Sequence, residues 1–352
     1  MPRPLLLAAA LAVTATPAAA QGAPAVLPEI DGDPVVLVVH GGAGTITRAA
    51  LTDADEAAVR GALEAALRAG HAEVVAGRPA LDAVAAAVKV LEDDPAFNAG
   101  RGGVFAADGT VRHDASVMDG ATGMAGASSG TLHVRHPILL ARAVMDASPH
   151  VLLAGEGAEE FALQQGLELV PNTFFHTDRR RRALDAVQAR ERSASGAVVT
   201  GGGAGPEPEA WQMHGTVGAV ALSHDGHLAA GTSTGGMTNK RWGRIGDSPV
   251  IGAGTYAADA TCGVSSTGHG EFFIRLAVAY DIAARVAYLG ETCEEAARHT
   301  IHETLAEAGG TGGVIALDAQ GRAAMPFNTE GMYRGTVTRS GVVRTMIYDD
   351  ED

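Results

Sequence analysis

The sequence predicts a layered α/β protein, and two sheets packed together under helices suit its pattern best. Three observations carry this. A β-branched run at residues 34–39 suits a buried strand, alanine-rich segments repeat apolar residues every three to four positions, and the C-terminal third returns to short strands and tight turns. Strand-sized pieces gather at both ends of each half, with helical segments between them. Periodicity alone does not separate this arrangement from other layered α/β folds.

The first strand, 34–39, runs into the glycine-rich stretch His40-Gly-Gly-Ala-Gly44. A helix follows over 53–76, with Val59, Leu63 and Leu67 on one face and Thr52 or Asp53 as its N-cap; Gly77-Arg-Pro79 ends it. A second helix spans 81–91 and closes at Asp93-Asp94-Pro95. Strand-like pieces then occupy 103–107, 111–113 and 124–134, with a turn at Asp108-Gly109. Pro137 marks the first turn of a helix over 138–145, and a strand at 151–154 and a helix at 158–165 come next. Residues 177–192 read as a charged helix, after which order is expected to fail until Gly215. Beyond it, 217–222 and 228–232 form a hairpin around His224-Asp225-Gly226, and 263–266 adds a strand. Helices over 271–288 and 292–308 precede strands at 314–317, 323–326, 332–337 and 342–347.

A chain of 352 residues with 46% hydrophobic content can bury a large core, and no break in composition marks a second domain. The net charge of −15 disfavours nucleic acid and anionic membrane as partners, because both need a basic patch. Arg179 to Arg182, the sole basic run, reads as a solvated helix face. Residues 1–20 combine a short basic start, an apolar stretch and an Ala-x-Ala exit, the pattern of a cleavable leader for a periplasmic or secreted protein. Cys262 and Cys293 read as small core residues, and their pairing is open. His269-Gly-Glu271 lacks the Pro-Cys-x-x-Cys partner of a zinc deaminase. The stretch at 40–44 lacks the lysine of a phosphate loop.

The most informative junction is Gly215-Thr216-Val-Gly-Ala-Val-Ala-Leu222, where a polar, glycine-rich run gives way to a strand. A cut between Gly215 and Thr216 would make Thr216 an N-terminal residue, whose own α-amine lies close enough to serve as base for its hydroxyl. With it stand Val39-His-Gly-Gly-Ala-Gly-Thr-Ile46, Leu91-Glu-Asp-Asp-Pro-Ala-Phe-Asn-Ala-Gly100, Asp114-Ala-Ser-Val-Met-Asp-Gly120, Ser148-Pro-His-Val151, Thr232-Ser-Thr-Gly-Gly236, Gly243-Arg-Ile-Gly-Asp-Ser-Pro249, Ser266-Thr-Gly-His-Gly270 and Pro326-Phe-Asn-Thr-Glu-Gly331. In these blocks, spread over about residues 35 to 335, the chain resembles the plant-type L-asparaginases and isoaspartyl peptidases, which are N-terminal-nucleophile hydrolases.

That resemblance implies a four-layer αββα sandwich cut into an α-subunit (21–215, with 193–214 as a loose tail) and a β-subunit (216–352), two copies of each assembling together. It implies Thr216 as nucleophile, Thr234 as the residue that orients or activates it, and Thr267 with the Gly268 N–H as oxyanion donors. Arg244 and Asp247 would clamp the α-carboxylate and α-ammonium of an aspartyl unit, with the Gly270 carbonyl helping, and Asn98 would stand near the reacting carbonyl. The loop carrying Leu91, Glu92, Asp94, Phe97, Ala99 and Arg101 would hold a structural sodium ion through backbone carbonyls; no cofactor is expected for catalysis. The implied substrates are L-asparagine and β-aspartyl dipeptides. Two rivals stand beside this reading: a glycosylasparaginase, and an uncleaved homologue that only binds.

Overall fold

A computed structural model describes residues 32–195 and 215–351. The leader at 1–20 and most of the 193–214 stretch lie outside the described residues. The first strand, β1 (Val35–Gly44), begins as expected but continues through the glycine stretch. It pairs with β11 as far as Gly44 and with β5 from Leu37 to His40, so the glycines continue the strand along one neighbour, with a register shift between His40 and Gly42. Gly41 is required there, because a Cβ would lie 2.3 Å from the Phe97 ring.

Helix α1 (Asp53–Val75) starts on a Thr52–Asp55 capping box, which satisfies two backbone donors left open at a helix start. Helix α2 (Ala80–Asp93) follows, and the two lay Leu63, Leu67, Val84 and Val88 against the sheet. Next come β2 (His113–Asp119), β3 (Ala125–Thr131), α3 (Pro137–Ala147), β4 (Leu152–Ala154), α4 (Gly155–Gln164) and α5 (Asp178–Ser195). The second half contains β5 (Val217–Leu222), β6 (Leu228–Thr234), β7 (Thr255–Ala257), β8 (Gly263–Gly268), α6 (Gly270–Leu276), α7 (Val278–Leu289) and α8 (Cys293–His299). The chain ends in β9 (Gly312–Leu317), β10 (Ala323–Ala324), β11 (Gly331–Thr338) and β12 (Val343–Met346).

Several expectations are corrected. Residues 103–107 and 111–112 make only a bridge between Phe105 and Val111, whereas His113 opens β2, which alternation did not reveal and which lies between β6 and β3. The single helix expected over 271–288 breaks at Ala277, which sits at φ 49°. The break lets the Ala279 and Tyr280 N–H groups donate to the carbonyls of Ala253 and Gly252, and so docks the open start of α7 on that loop. The helix expected over 292–308 passes from α8 into a π-helical stretch at Thr300–Leu305. Cys262 and Cys293 are buried and not joined by a disulfide.

Eight strands form one sheet in the order β12-β11-β1-β5-β6-β2-β3-β4, and four form another in the order β10-β9-β8-β7. Three apolar cores separate the layers. One lies between α1–α3 and the large sheet, one between the sheets around Val38, Val220, Ile315 and Leu317, and one between the small sheet and α7–α8. Small residues bring the sheets close where β5 crosses β8: a Cβ on Gly218 would lie 2.0 Å from Ser265 Oγ. Gly218→Ala is therefore expected to destabilise the protein by about 1–3 kcal/mol through overpacking. Urea unfolding checks this; an unchanged midpoint would show that the sheets have slack there.

Candidate active site

Thr216 immediately precedes β5, Thr234 ends β6 beside it, and Gly268 ends β8 in the facing sheet. The chain therefore brings three strand ends to one spot. The Thr216 hydroxyl donates to Thr234 Oγ1 at 3.0 Å, and the Gly236 N–H donates to the same oxygen at 2.9 Å. This fixes the Thr216 side chain against a cavity of about 10 Å³, lined also by Met237, Arg244, Gly246, Asp247 and Ser248. So small a space admits little more than one small group.

Behind the nucleophile candidate, polar side chains join the two sheets. His40 Nε2 meets Ser265 Oγ at 2.8 Å, and Ser265 meets Thr232 Oγ1 at 2.7 Å. Thr232 meets Thr255 Oγ1 at 2.5 Å, and the Ser116 hydroxyl donates to Thr255 at 2.8 Å. Burial pushes the His40 imidazole down to about 3, so it stays neutral and is a poor base. No local pattern announces this chain, since its members look like ordinary strand residues.

Asn98 is wholly buried and braces the junction. Its backbone N–H donates to the Gly215 carbonyl at 3.0 Å, its side-chain amide donates to Gly236 O at 2.7 Å, and its side-chain oxygen accepts from the Val104 N–H at 2.9 Å. Its side chain thus holds the turn that carries Thr234. Lys240, unnoticed in the sequence, supports the same turn by donating to Gly235 O at 2.6 Å. Its burial lowers its pKa to about 8. Thr267 is buried, and its hydroxyl accepts from the Ala43 N–H at 3.3 Å. A Cβ on Gly268 would lie 2.4 Å from Thr311 O, so only glycine fits.

Arg244 and Asp247 face each other across glycine. A Cβ on Gly270 would lie 2.9 Å from both Arg244 Nη2 and Asp247 Oδ1. Glu271, which the sequence offered only in a rejected metal motif, grips Arg244 from Nε at 2.9 Å and Nη2 at 3.0 Å. Asp247 is buried, and its Oδ2 has no hydrogen-bond partner among the described residues. Burial outweighs the attraction of Arg244 and raises Asp247 from 3.8 to about 7. A carboxyl group with an unpaired oxygen beside a fixed guanidinium sets opposite charges side by side, an arrangement chemically suited to both ends of a zwitterion.

The 91–101 loop suits a hard cation in part. The carbonyls of Phe97, Ala99 and Arg101 accept no hydrogen bond among the described residues, whereas those of Glu92 and Asp94 accept from the N–H groups of Arg101 and Phe97. The Glu92 carboxylate does other work, accepting from Ser233 Oγ at 2.6 Å and the Ile138 N–H at 3.0 Å. Oxygen ligands of this neutral kind fit an alkali or alkaline-earth ion.

The fold and site define a mixed α/β protein with a threonine at a strand end beside a buried Asp247 and its neighbour Arg244. The chain belongs to the asparaginase family, whose model matches residues 33–347. It is 49% identical over 316 residues to an isoaspartyl peptidase of Escherichia coli (strain K12), covering 90% of this chain and 97% of that protein. It is also 39% identical over 289 residues to an isoaspartyl peptidase/L-asparaginase of Homo sapiens, covering 82% of this chain and 88% of that protein.

Asp247 binds its proton near 7 when folded and near 3.8 when unfolded, so folding favours the protonated form. Its contribution to stability is complete below about pH 4 and is lost as pH rises through about 7. Relative to Asp247→Asn, the wild type should therefore lose stability across that window, as read by urea midpoints. Parallel curves for the two proteins would contradict the buried, unpaired state.

Proposed function

We propose that this chain is a self-processing hydrolase of β-aspartyl amides, acting on L-asparagine and isoaspartyl dipeptides. The observation that carries it is the convergence of Thr216, Thr234, Gly268, Arg244 and Asp247 on one cavity. The fold is read as a four-layer αββα sandwich, in keeping with its three apolar cores. The first reaction is its own maturation. Thr216 Oγ1 attacks the Gly215 carbonyl carbon, whose oxygen already accepts from the Asn98 N–H. The amide becomes an ester, and water releases the 21–215 segment and a free amine on Thr216.

That amine, with an ordinary pKa of about 7.7–8.0, is partly neutral at pH 7 and takes the hydroxyl proton as Thr216 attacks the substrate. Thr234 orients the nucleophile. The Thr267 hydroxyl and Gly268 N–H stabilise the developing oxyanion, and one such donor is worth about 2.7–4 kcal/mol of barrier. Arg244 holds the substrate α-carboxylate, and Asp247 with the Gly270 carbonyl holds its α-ammonium. The leaving amine departs, a β-aspartyl ester remains on Thr216, and water frees L-aspartate. The 91–101 carbonyls would hold a structural sodium ion, which shapes the Asn98 loop and takes no part in the chemistry. An exported (αβ)₂ assembly completes the proposal.

Denaturing gels of purified wild type and Thr216→Ala test the first step. Wild type should appear as two fragments with one beginning at Thr216, and the variant as a single chain. An intact wild type that still hydrolyses L-asparagine would overturn the scheme. If N-glycosylated asparagine is turned over faster than L-asparagine and β-aspartyl-leucine, the glycosylasparaginase reading replaces it.

A further inference from the structure

A larger cavity of about 540 Å³ lies beside the site, and the two share Arg244 as a common wall. Its position follows from the sheet. Asp114 on β2 pairs directly with Thr234 on β6, and β3, the next strand, supplies Ser129. The cavity therefore continues the nucleophile's row of strand ends sideways, at about 4.8 Å per strand. A group joined to a carbonyl at Thr216 can reach it.

Two buried acceptors face this space without partners. Asp114 and Ser129 are each 1% exposed, and Asp114 Oδ2 and Ser129 Oγ make no hydrogen bond among the described residues. Buried polar atoms are nearly always paired, so both point to a ligand that donates hydrogen. The rim adds Trp242, 97% exposed and held at φ 55°, a conformation bulky residues rarely adopt. An aromatic face presented in this way offers a platform to an apolar or planar group.

The charge of the wall selects among leaving groups. Arg112, Lys240, Arg241 and Arg244 line it against only Asp108 and Asp114. The carboxylates that partner Arg241 and Arg244, those of Glu191 and Glu271, lie outside the lining. Asp108 is bonded to Arg112 at 3.0 Å, but Lys240 is bonded only to the Arg112 and Gly235 carbonyls among the described residues, and this basic spot on the wall suits a carboxylate, which an amino-acid leaving group carries and an N-linked sugar does not.

We infer that this cavity is the leaving-group subsite, built for the second residue of a β-aspartyl dipeptide. The inference rests on Thr216 as the nucleophile. The second residue's α-carboxylate meets the basic wall, its side chain lies against Trp242, and a polar hydrogen on that side chain meets Asp114 and Ser129. Ammonia, the leaving group of L-asparagine, leaves the subsite unused.

Steady-state kinetics on three substrates test it: L-asparagine, β-aspartyl-tyrosine and the C-terminal amide of that dipeptide. Wild type should prefer the free dipeptide to its amide, and Trp242→Ala should lower the ratio of kcat/KM for dipeptide over L-asparagine about tenfold, the scale of a lost pocket contact. A Trp242→Ala ratio equal to wild type, or equal use of acid and amide, overturns the subsite while leaving the nucleophile in place. A wild type that hydrolyses none of the three removes both readings. Because Trp242 is almost fully exposed, its loss is not expected to disturb folding, and complete self-cleavage of the variant verifies this.

Discussion

The close contact of two sheets at Gly218 governs the rest of the structure. The nucleophile candidate and Thr234 belong to the large sheet, while Thr267, Gly268 and the start of α6 belong to the small one. They form one site only because a residue without a side chain lets Ser265 and His40 close the gap. The polar chain from His40 through Ser265, Thr232 and Thr255 to Ser116 then fixes the sheets in register. Such a chain is favourable when its members are satisfied and costly when broken, so it specifies one alignment of the sheets. Reaching that alignment brings Thr216, Gly268, Arg244 and Asp247 to one small cavity.

Electrostatics in the site are arranged for a partner that is not part of the chain. Arg244 is fixed by Glu271, whereas Asp247 is left buried with an unsatisfied oxygen. Its raised pKa expresses the energy held in that arrangement, which a substrate ammonium would relieve. The guanidinium edge not held by Glu271 remains for a carboxylate.

Much of this was legible in the sequence, for identifiable reasons. Long helices such as α1 announce themselves by apolar spacing and a cap at Thr52, and the β5–β6 hairpin by its glycine turn. The site blocks were readable because acyl transfer needs particular residue types at fixed offsets. By contrast, β2 was hidden because Ser116, on its face toward the small sheet, carries a cross-sheet hydrogen bond where an apolar residue would have marked a strand. The break at Ala277 answers to distant carbonyls on Gly252 and Ala253, which no local pattern encodes. The parts played by Glu271, Lys240 and Asp114 were not readable for a similar reason, since their importance lies in what the fold sets beside them.

The central claim is that Thr216 Oγ1 itself forms the bond to the substrate. Rapid acid quenching of the enzyme during turnover of L-asparagine, followed by peptide mapping by mass spectrometry, tests it most directly. An aspartyl group in ester linkage is expected on the peptide that begins Thr216-Val-Gly. An aspartyl group on any other residue would contradict it.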